Sequence, residues 1–287
     1  MTTVAITGAA GKTGRVVARH FIDRGYDVRA IDSTGRPGGY GPLAEELGVG
    51  LFRADLTDYG QTVDALRDID AVVHLAAIPA PELFPASTTF LENTAMNYNV
   101  FAAAQLLGVT SVVWASSETT IGLPLDVPPR YAPIDEAIYP LPTSTYALSK
   151  VVGETMAQHF ADWTGGSYIA LRLSNVHVEA DYARVPGYQD DFALRRWNLW
   201  GYVDARDVAQ ACRLAVESEL TGAHSYIIAA ADTIMTATNA ELMAAEFPGV
   251  PLTREVGDHE TLLSIDLARA ELGYAPEFSW RDHLPQG

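Results

Sequence analysis

Val4-Ala5-Ile6-Thr7-Gly8-Ala9-Ala10-Gly11-Lys12-Thr13-Gly14 decides the reading of this chain: an apolar strand runs into three spaced glycines, and a helical pattern follows from Arg15 to Arg24. Gly8 would let the chain turn off the strand, Gly11 would let backbone approach a pyrophosphate, and Gly14 would let helix and strand pack closely. The helix start offers unpaired N–H groups to phosphates. Lys12 and Thr13, between the second and third glycines, join these as candidate cofactor contacts. Glycines in any tight strand-to-helix turn spell the same letters, so the flanking sequence has to decide.

Working outward, Gly25 suits a helix C-cap and Asp27–Asp32 reads as a second strand. Asp32 follows Gly14 by 18 residues, close to the spacing of about 20 expected for a carboxylate that accepts the adenosine ribose hydroxyls. That favours NAD, because a carboxylate there repels a 2′-phosphate; Arg36, Lys12 and Arg15 lie near enough in sequence to keep NADP open. The structural alternative for Asp32 is a turn or cap before the Gly/Pro-rich segment from Ser33 to Pro42. A short helix near Leu43–Leu47 leads to a strand over Val49–Ala54, then Asp55 and Leu56, with Thr57 or Asp58 capping the next helix. Asp55 is placed to reach an adenine amino group, or is an ordinary loop aspartate. The run Ala71–Ala77 is almost wholly apolar, as in a parallel strand covered on both faces. Leu75, Ala76 and Ala77 at its end would leave room for a dinucleotide, while His74 reads as a packed strand residue.

Helical periodicity returns over Thr88–Leu107 and stops at Gly108. Strand Ser111–Ala115 then delivers Ser116 and Ser117 to the carboxyl edge of the sheet, where open α/β folds bind ligands. A loop with six prolines from Pro124 to Pro142 is expected to fold over that edge. A helix from about Ser144 to Trp163 carries Tyr146 and Lys150, four residues apart and so on one face. A free tyrosine has a pKa of about 10, and a nearby ammonium favours its phenolate. Ser117 could then bond a substrate hydroxyl or carbonyl while Tyr146 exchanges its proton and Lys150 also holds a nicotinamide ribose. Lys12 and Lys150 are the only lysines, so a specific role for each is the sharper reading; a buried tyrosine and a solvated lysine is the plainer one.

Strands alternating with helices predict an α/β doubly wound parallel sheet. With 287 residues and 48% apolar content the chain can bury one large core plus a small lobe. A net charge of -17 argues against nucleic acid and anionic membrane surfaces. Neither a membrane-spanning apolar run nor a signal pattern is evident, so a cytoplasmic protein is expected. Cys212, the lone cysteine, reads as a small core residue, and the scattered histidines predict no metal.

With these pieces in order, the chain resembles the extended short-chain dehydrogenases/reductases, in their NAD-dependent epimerase/dehydratase branch. The resemblance rests on Thr7-Gly8-x-x-Gly11-x-x-Gly14, Asp32, Asp55-Leu56, His74-Leu75-Ala76-Ala77, Asn93, Ser116-Ser117 and Tyr146-x-x-x-Lys150. Leu171-Arg172-Leu173-Ser174-Asn175-Val176 and Tyr202–Val208 extend it over nearly the whole chain. It implies a Rossmann-type doubly wound parallel sheet with a small C-terminal substrate lobe. It implies a catalytic set of Ser117, Tyr146 and Lys150, Asn93 with the cofactor set in support of the active-site helix, and a homodimer through the helices near 88–107 and 144–163. Three departures stand out: Ile121-Gly122 and Asn175-Val176-His177-Val178 replace the usual tyrosine-bearing motifs, Glu118-Thr119 replaces the dehydratases' Asp-Glu pair and speaks against water loss, and the chain is short for a nucleotide-sugar epimerase.

The expected division is 1–175 for the dinucleotide core and 176–287 for a mixed region, with a substrate lobe at about 176–202 and 231–287 and the remaining core elements at about 203–230. In the lobe Arg184, Arg195 and Arg196 mingle with Tyr182, Tyr188, Trp197 and Trp200, a mixture suited to an anion and a sugar ring. The expected substrate contacts are Ser117, Glu118, Asn175, Arg184 and Arg195. The expected substrate is a sugar or nucleotide sugar, taken either by an epimerase or by a simple dehydrogenase acting on uronic or free sugars. A non-catalytic dinucleotide sensor fits less well with Ser117, Tyr146 and Lys150 all present.

Overall fold

The computed structural model describes residues 2–33 and 41–283. Nine strands and eight α-helices occur among them: β1 Thr3–Thr7, α1 Lys12–Asp23, β2 Asp27–Asp32, α2 Gly41–Leu47, β3 Leu51–Arg53, α3 Tyr59–Ala65, β4 Ala71–His74, α4 Ala86–Leu107, β5 Ser111–Ala115, α5 Thr145–Thr164, β6 Ser167–Leu173, β7 Val176–His177, β8 Val203–Asp204, α6 Ala205–Glu217, β9 Gly222–Ile228, α7 Asn239–Glu246 and α8 Asp266–Leu272. Seven strands form one parallel sheet in the order β3-β2-β1-β4-β5-β6-β9. The chain walks outward from β1 through β2 to β3, then returns to β4 on β1's other side. The crevice where that order reverses is where such sheets bind ligands.

The hydrophobic pattern explains the layers. Val4, Ile6, Val72 and Val73 are fully buried, because helices cover both faces of the central strands. One face of α1, through Gly14, Val17, Ala18 and Phe21, lies on the sheet at helical spacing. On the opposite face α4 and α5 pack around Phe101, Trp114, Phe160 and Tyr168, with Phe101 edge to face against each of the other three rings. Cys212 is wholly buried in α6, and burial raises its thiol to about 12, so it packs as a small apolar residue.

Several boundaries differ from the sequence reading. α1 begins at Lys12, so Lys12 and Thr13 lie in its first turn. β4 ends at His74, and Leu75 to Ala77 belong to the loop over the crevice; β3 is shorter than Val49–Ala54. The proline-rich segment is strapped to C-terminal residues by single bridges, Ala132 to Leu252 and Ile134 to Leu263. Residues 277–281 are pinned by carboxylates: Asp207 accepts the N–H groups of Glu277 and Phe278, and Asp232 takes Tyr202, Ser279 and Arg281. Among the described residues no helix is long and apolar enough to cross a membrane.

Candidate active site

A cleft of ≈ 1370 Å³ opens along the carboxyl ends of the strands. Its near end is the glycine turn. Gly8 has φ +68°, and a Cβ there would sit 2.8 Å from the Ala76 nitrogen; a Cβ on Gly14 would sit 2.0 Å from the Gly8 carbonyl oxygen. Neither position tolerates a side chain, and the N-cap, Gly11, supplies no side-chain bond to the first turn of α1. The cleft therefore meets helical N–H groups and the bare backbone of Gly8, Gly11 and Gly14, which suits a diphosphate. Thr7 fastens the neighbouring strand: its Oγ accepts from Leu75 and Ala76 nitrogens at 3.1 Å and lies 2.7 Å from His74 Nδ1. Burial, then Lys150, lowers His74 to about 3, so it is a neutral strand residue.

Asp32 lines the cleft at the end of β2 and also serves the turn, accepting the Ala10 N–H at 2.7 Å and the Ser33 N–H at 2.8 Å. The turn reading of this residue thus holds, and its carboxylate also borders the cleft. Arg36, weighed as a partner for a 2′-phosphate, lies outside the described residues. Lys12 lines the cleft with its Nζ 2.7 Å from Asp181 Oδ2. Asp55, Leu56, Leu75, Ala76 and Ala77 line the same end, and Asp55 spends one oxygen on Thr57. Asn93 is not on the cleft wall. It clamps the Ile78 backbone from both sides and approaches Ser149 of α5 at 3.5 Å, a bracing position rather than a cofactor contact. Because this half of the cleft is open, uncapped and bordered by Asp32, the residues present fit a dinucleotide.

At the far end β5 and α5 converge. Ser117, Glu118, Tyr146 and Lys150 all line the cleft and all are buried. Ser144 caps α5, its Oγ accepting from Ala147 at 3.1 Å, which sets the turn that carries Tyr146. Ser117 Oγ accepts from the Thr119 nitrogen and hydroxyl at 3.2 and 3.0 Å, so its own proton is directed elsewhere. Lys150 Nζ lies 5.6 Å from the Tyr146 ring centroid and donates to the Ala115 carbonyl at 2.8 Å. The expected lowering of the tyrosine does not appear. Burial pushes Tyr146 up to about 12, with the Ser117 hydroxyl pulling down and Glu118 adding to the rise, while burial lowers Lys150 to about 8. Desolvation sets the direction of both shifts.

Glu118 is the other ionisable group on this wall. Its carboxyl takes Ser174 Oγ at 2.7 Å and Asn198 Nδ2 at 3.3 Å, and burial lifts it to about 7 against the pull of those bonds and of Arg195. Asn175 also lines the cleft, its Oδ1 held by Arg195 Nη1 at 3.0 Å and His177 Nε2 at 2.9 Å. The lobe's arginines are placed differently from the expectation. Arg195 is buried behind the wall, bonded to Asn175 and Gly201 and lying on the rings of Tyr188 and Trp197; Arg196 pairs with Glu246; Arg184 is exposed. None of the three lines the cleft. Of the aromatics, Trp197 does, while Tyr182 and Trp200 are buried.

One functional neighbour escaped the sequence reading. Glu154 accepts Ser116 Oγ at 2.6 Å and binds Arg172 through two nitrogens at 2.9 and 2.7 Å. Tyr146, Lys150 and Glu154 repeat every four residues along α5, so the periodicity that exposed the first two also points to the third. Gly153 beside it lets α5 settle: a Cβ there would lie 2.7 Å from Asn97 Nδ2 and 2.8 Å from the Trp114 ring.

The NAD dependent epimerase/dehydratase family matches residues 4–229. An NAD-dependent glucose-6-phosphate dehydrogenase of Haloferax volcanii is 29% identical over 63% of this chain and 72% of its own length. A UDP-glucose 4-epimerase of Lacticaseibacillus casei is 26% identical over 99% of this chain and 98% of its own. Among solved structures, a UDP-glucose 4-epimerase from Brucella ovis in complex with NAD superposes with a TM-score of 0.70 at 21% identity, covering 97% of this chain and 94% of that one.

Proposed function

The chain belongs to the NAD-dependent epimerase/dehydratase family, and from that premise we propose that it catalyses hydride transfer at a carbinol carbon of a sugar, with NAD as its cofactor in preference to NADP. The observation that carries this reading is convergence: Ser117, Tyr146 and Lys150, from two separate elements, meet on one wall of a cleft whose other end is the glycine turn. NAD, when bound, supplies the hydride acceptor. Ser117 directs its O–H to the substrate oxygen and orients it. Tyr146 takes the hydroxyl proton as the carbinol is oxidised, and returns it when the carbonyl is reduced. Lys150 stands beside the phenol as the cation that would counter the burial raising Tyr146, and its main-chain bond to Ala115 fixes it beneath the site. Gly8, Gly11, Lys12, Thr13 and Gly14 hold the diphosphate end, Asp32 the adenosine ribose, and Asp55 to Leu56 and Leu75 to Ala77 flank the rings.

The same machinery serves epimerisation, in which the hydride returns to the opposite face, and net dehydrogenation, in which NADH leaves. In keeping with the family, we place the protein in the cytoplasm as a homodimer through α4 and α5. We assign 1–175 to the cofactor core and 176–202 with 231–287 to the substrate lobe. The test is to incubate the purified protein with NAD and a sugar panel, following NADH by absorbance and isomers by chromatography. Neither signal from any sugar would defeat the reading.

A further inference from the structure

We propose that the substrate end of the cleft selects an uncharged sugar and discriminates against carboxylate, phosphate and nucleoside diphosphate sugars. This rests on the hydride-transfer reading and narrows its substrate. Among the described residues lining the cleft, the cations are Lys12 and Lys150. Lys12 belongs to the glycine turn and is paired with Asp181; Lys150 is buried beneath the reaction centre and bonded to Ala115. The substrate end instead presents two carboxylates, Glu118 and Asp126.

Among the described residues no arginine reaches the cleft to meet an anion, although Arg195 pulls on Glu118 from behind the wall. Arg172 is spent on Glu154, Arg196 on Glu246, and Arg195 on Asn175, Gly201 and two ring faces. Arg195 does more than stand aside. By occupying Asn175 Oδ1, together with His177, it leaves Asn175 only its amide N–H groups for the cleft. Ser174 is likewise turned to Glu118. The wall thus offers an amide donor from Asn175, a hydroxyl donor from Ser117, and a carboxyl acceptor from Glu118. Those groups match sugar hydroxyls, each of which donates and accepts.

An anionic substituent brought against this wall meets a like charge and loses its water without gaining a counter-ion. Protonation of Glu118 would remove the repulsion but would still supply no cation. A site of this kind rejects the charged analogue both through a repulsive group and through the missing counter-ion.

The experiment sets neutral pentoses and hexoses beside their uronates, phosphate esters and UDP conjugates, measuring kcat/KM with NAD. Binding is measured separately by saturation-transfer NMR. Neutral sugars are expected to exceed their charged counterparts about tenfold or more, the scale set by a single like-charge contact in a partly solvated site. Glu118→Gln, and separately the exposed Asp126→Asn, should narrow that ratio, chiefly through KM and binding of the charged member. Melting curves establish that both variants fold. Charged sugars turned over better than neutral ones, or a ratio unmoved in both folded variants, would overturn the inference and leave hydride transfer standing. If no sugar of either kind binds or reacts, both fail together.

Discussion

Arg195 Nη1 lies 3.0 Å from Asn175 Oδ1, behind the cleft wall, so the lobe's most buried arginine orients a neutral side chain instead of meeting an anion itself. Read linearly, an arginine among tyrosines and tryptophans resembles an anion site. In three dimensions the aromatics form its bed.

The strongest consequence for catalysis falls on α5. Tyr146→Phe and Lys150→Met should each lower turnover by about 10²–10⁴-fold while the protein stays folded, the usual contribution of positioned acid–base groups. Lys150→Met should also weaken NAD, since it removes the ammonium proposed to hold the nicotinamide ribose. Steady-state rates, circular dichroism and calorimetric titration together check this, and near wild-type turnover in Tyr146→Phe would remove the assignment.

Cofactor preference follows from Asp32. NAD should bind more tightly than NADP, and Asp32→Ala should narrow the gap while weakening both, because the same carboxylate holds the Ala10 N–H at 2.7 Å. Calorimetric titration of the two cofactors decides; equal affinities in the unaltered protein would refute it.

Stability should depend on pH through Glu118. Its folded-state value, about 7, lies above its ordinary 4.5, so the folded form holds a proton that the unfolded form has released between those limits. The linked stability is fully present below about 4.5 and is lost as pH rises through 7. Asp207, raised to about 6 by burial, acts in the same direction. Glu118→Gln should therefore gain on wild type as pH goes from 5 to 8, on the order of 1–3 kcal/mol. Thermal melts at the two pH values measure it, and parallel curves for both proteins would contradict it.

Association should run through the outer faces of α4 and α5. Leu91, Tyr98 and Leu106 form one stripe on α4, exposed by 63, 52 and 63%, and Trp163 on α5 is exposed by 64%. Leu106→Glu with Trp163→Glu should convert a dimer to a monomer in sedimentation equilibrium. A wild-type monomer at micromolar concentration would dismiss the interface.

Much of this architecture was legible because it is local. Glycine spacing, the apolar run Ala71–Ala77 and the four-residue interval from Tyr146 to Lys150 each report on backbone geometry, although the strand itself stops at His74. The direction of the Tyr146 shift was not legible, since it depends on how much of the chain packs over the phenol. The lobe's arginines misled for a related reason. Sequence reveals that a guanidinium is present, whereas its partner, Asn175, Glu246 or solvent, is chosen by loops distant in the chain. Glu154 was within reach of the periodicity argument, but its partner Arg172 comes from β6 and Ser116 from the end of β5.

Gly153 holds a different kind of control. The absence of one methyl group determines how deeply α5 sits against Asn97 and Trp114, and Tyr146 and Lys150 ride on that same rigid rod. Reactivity in this protein is consequently open to adjustment from a position that touches no reactant: a larger residue at 153 would lift the whole bench on which the two groups stand, shifting both together while leaving their mutual spacing intact.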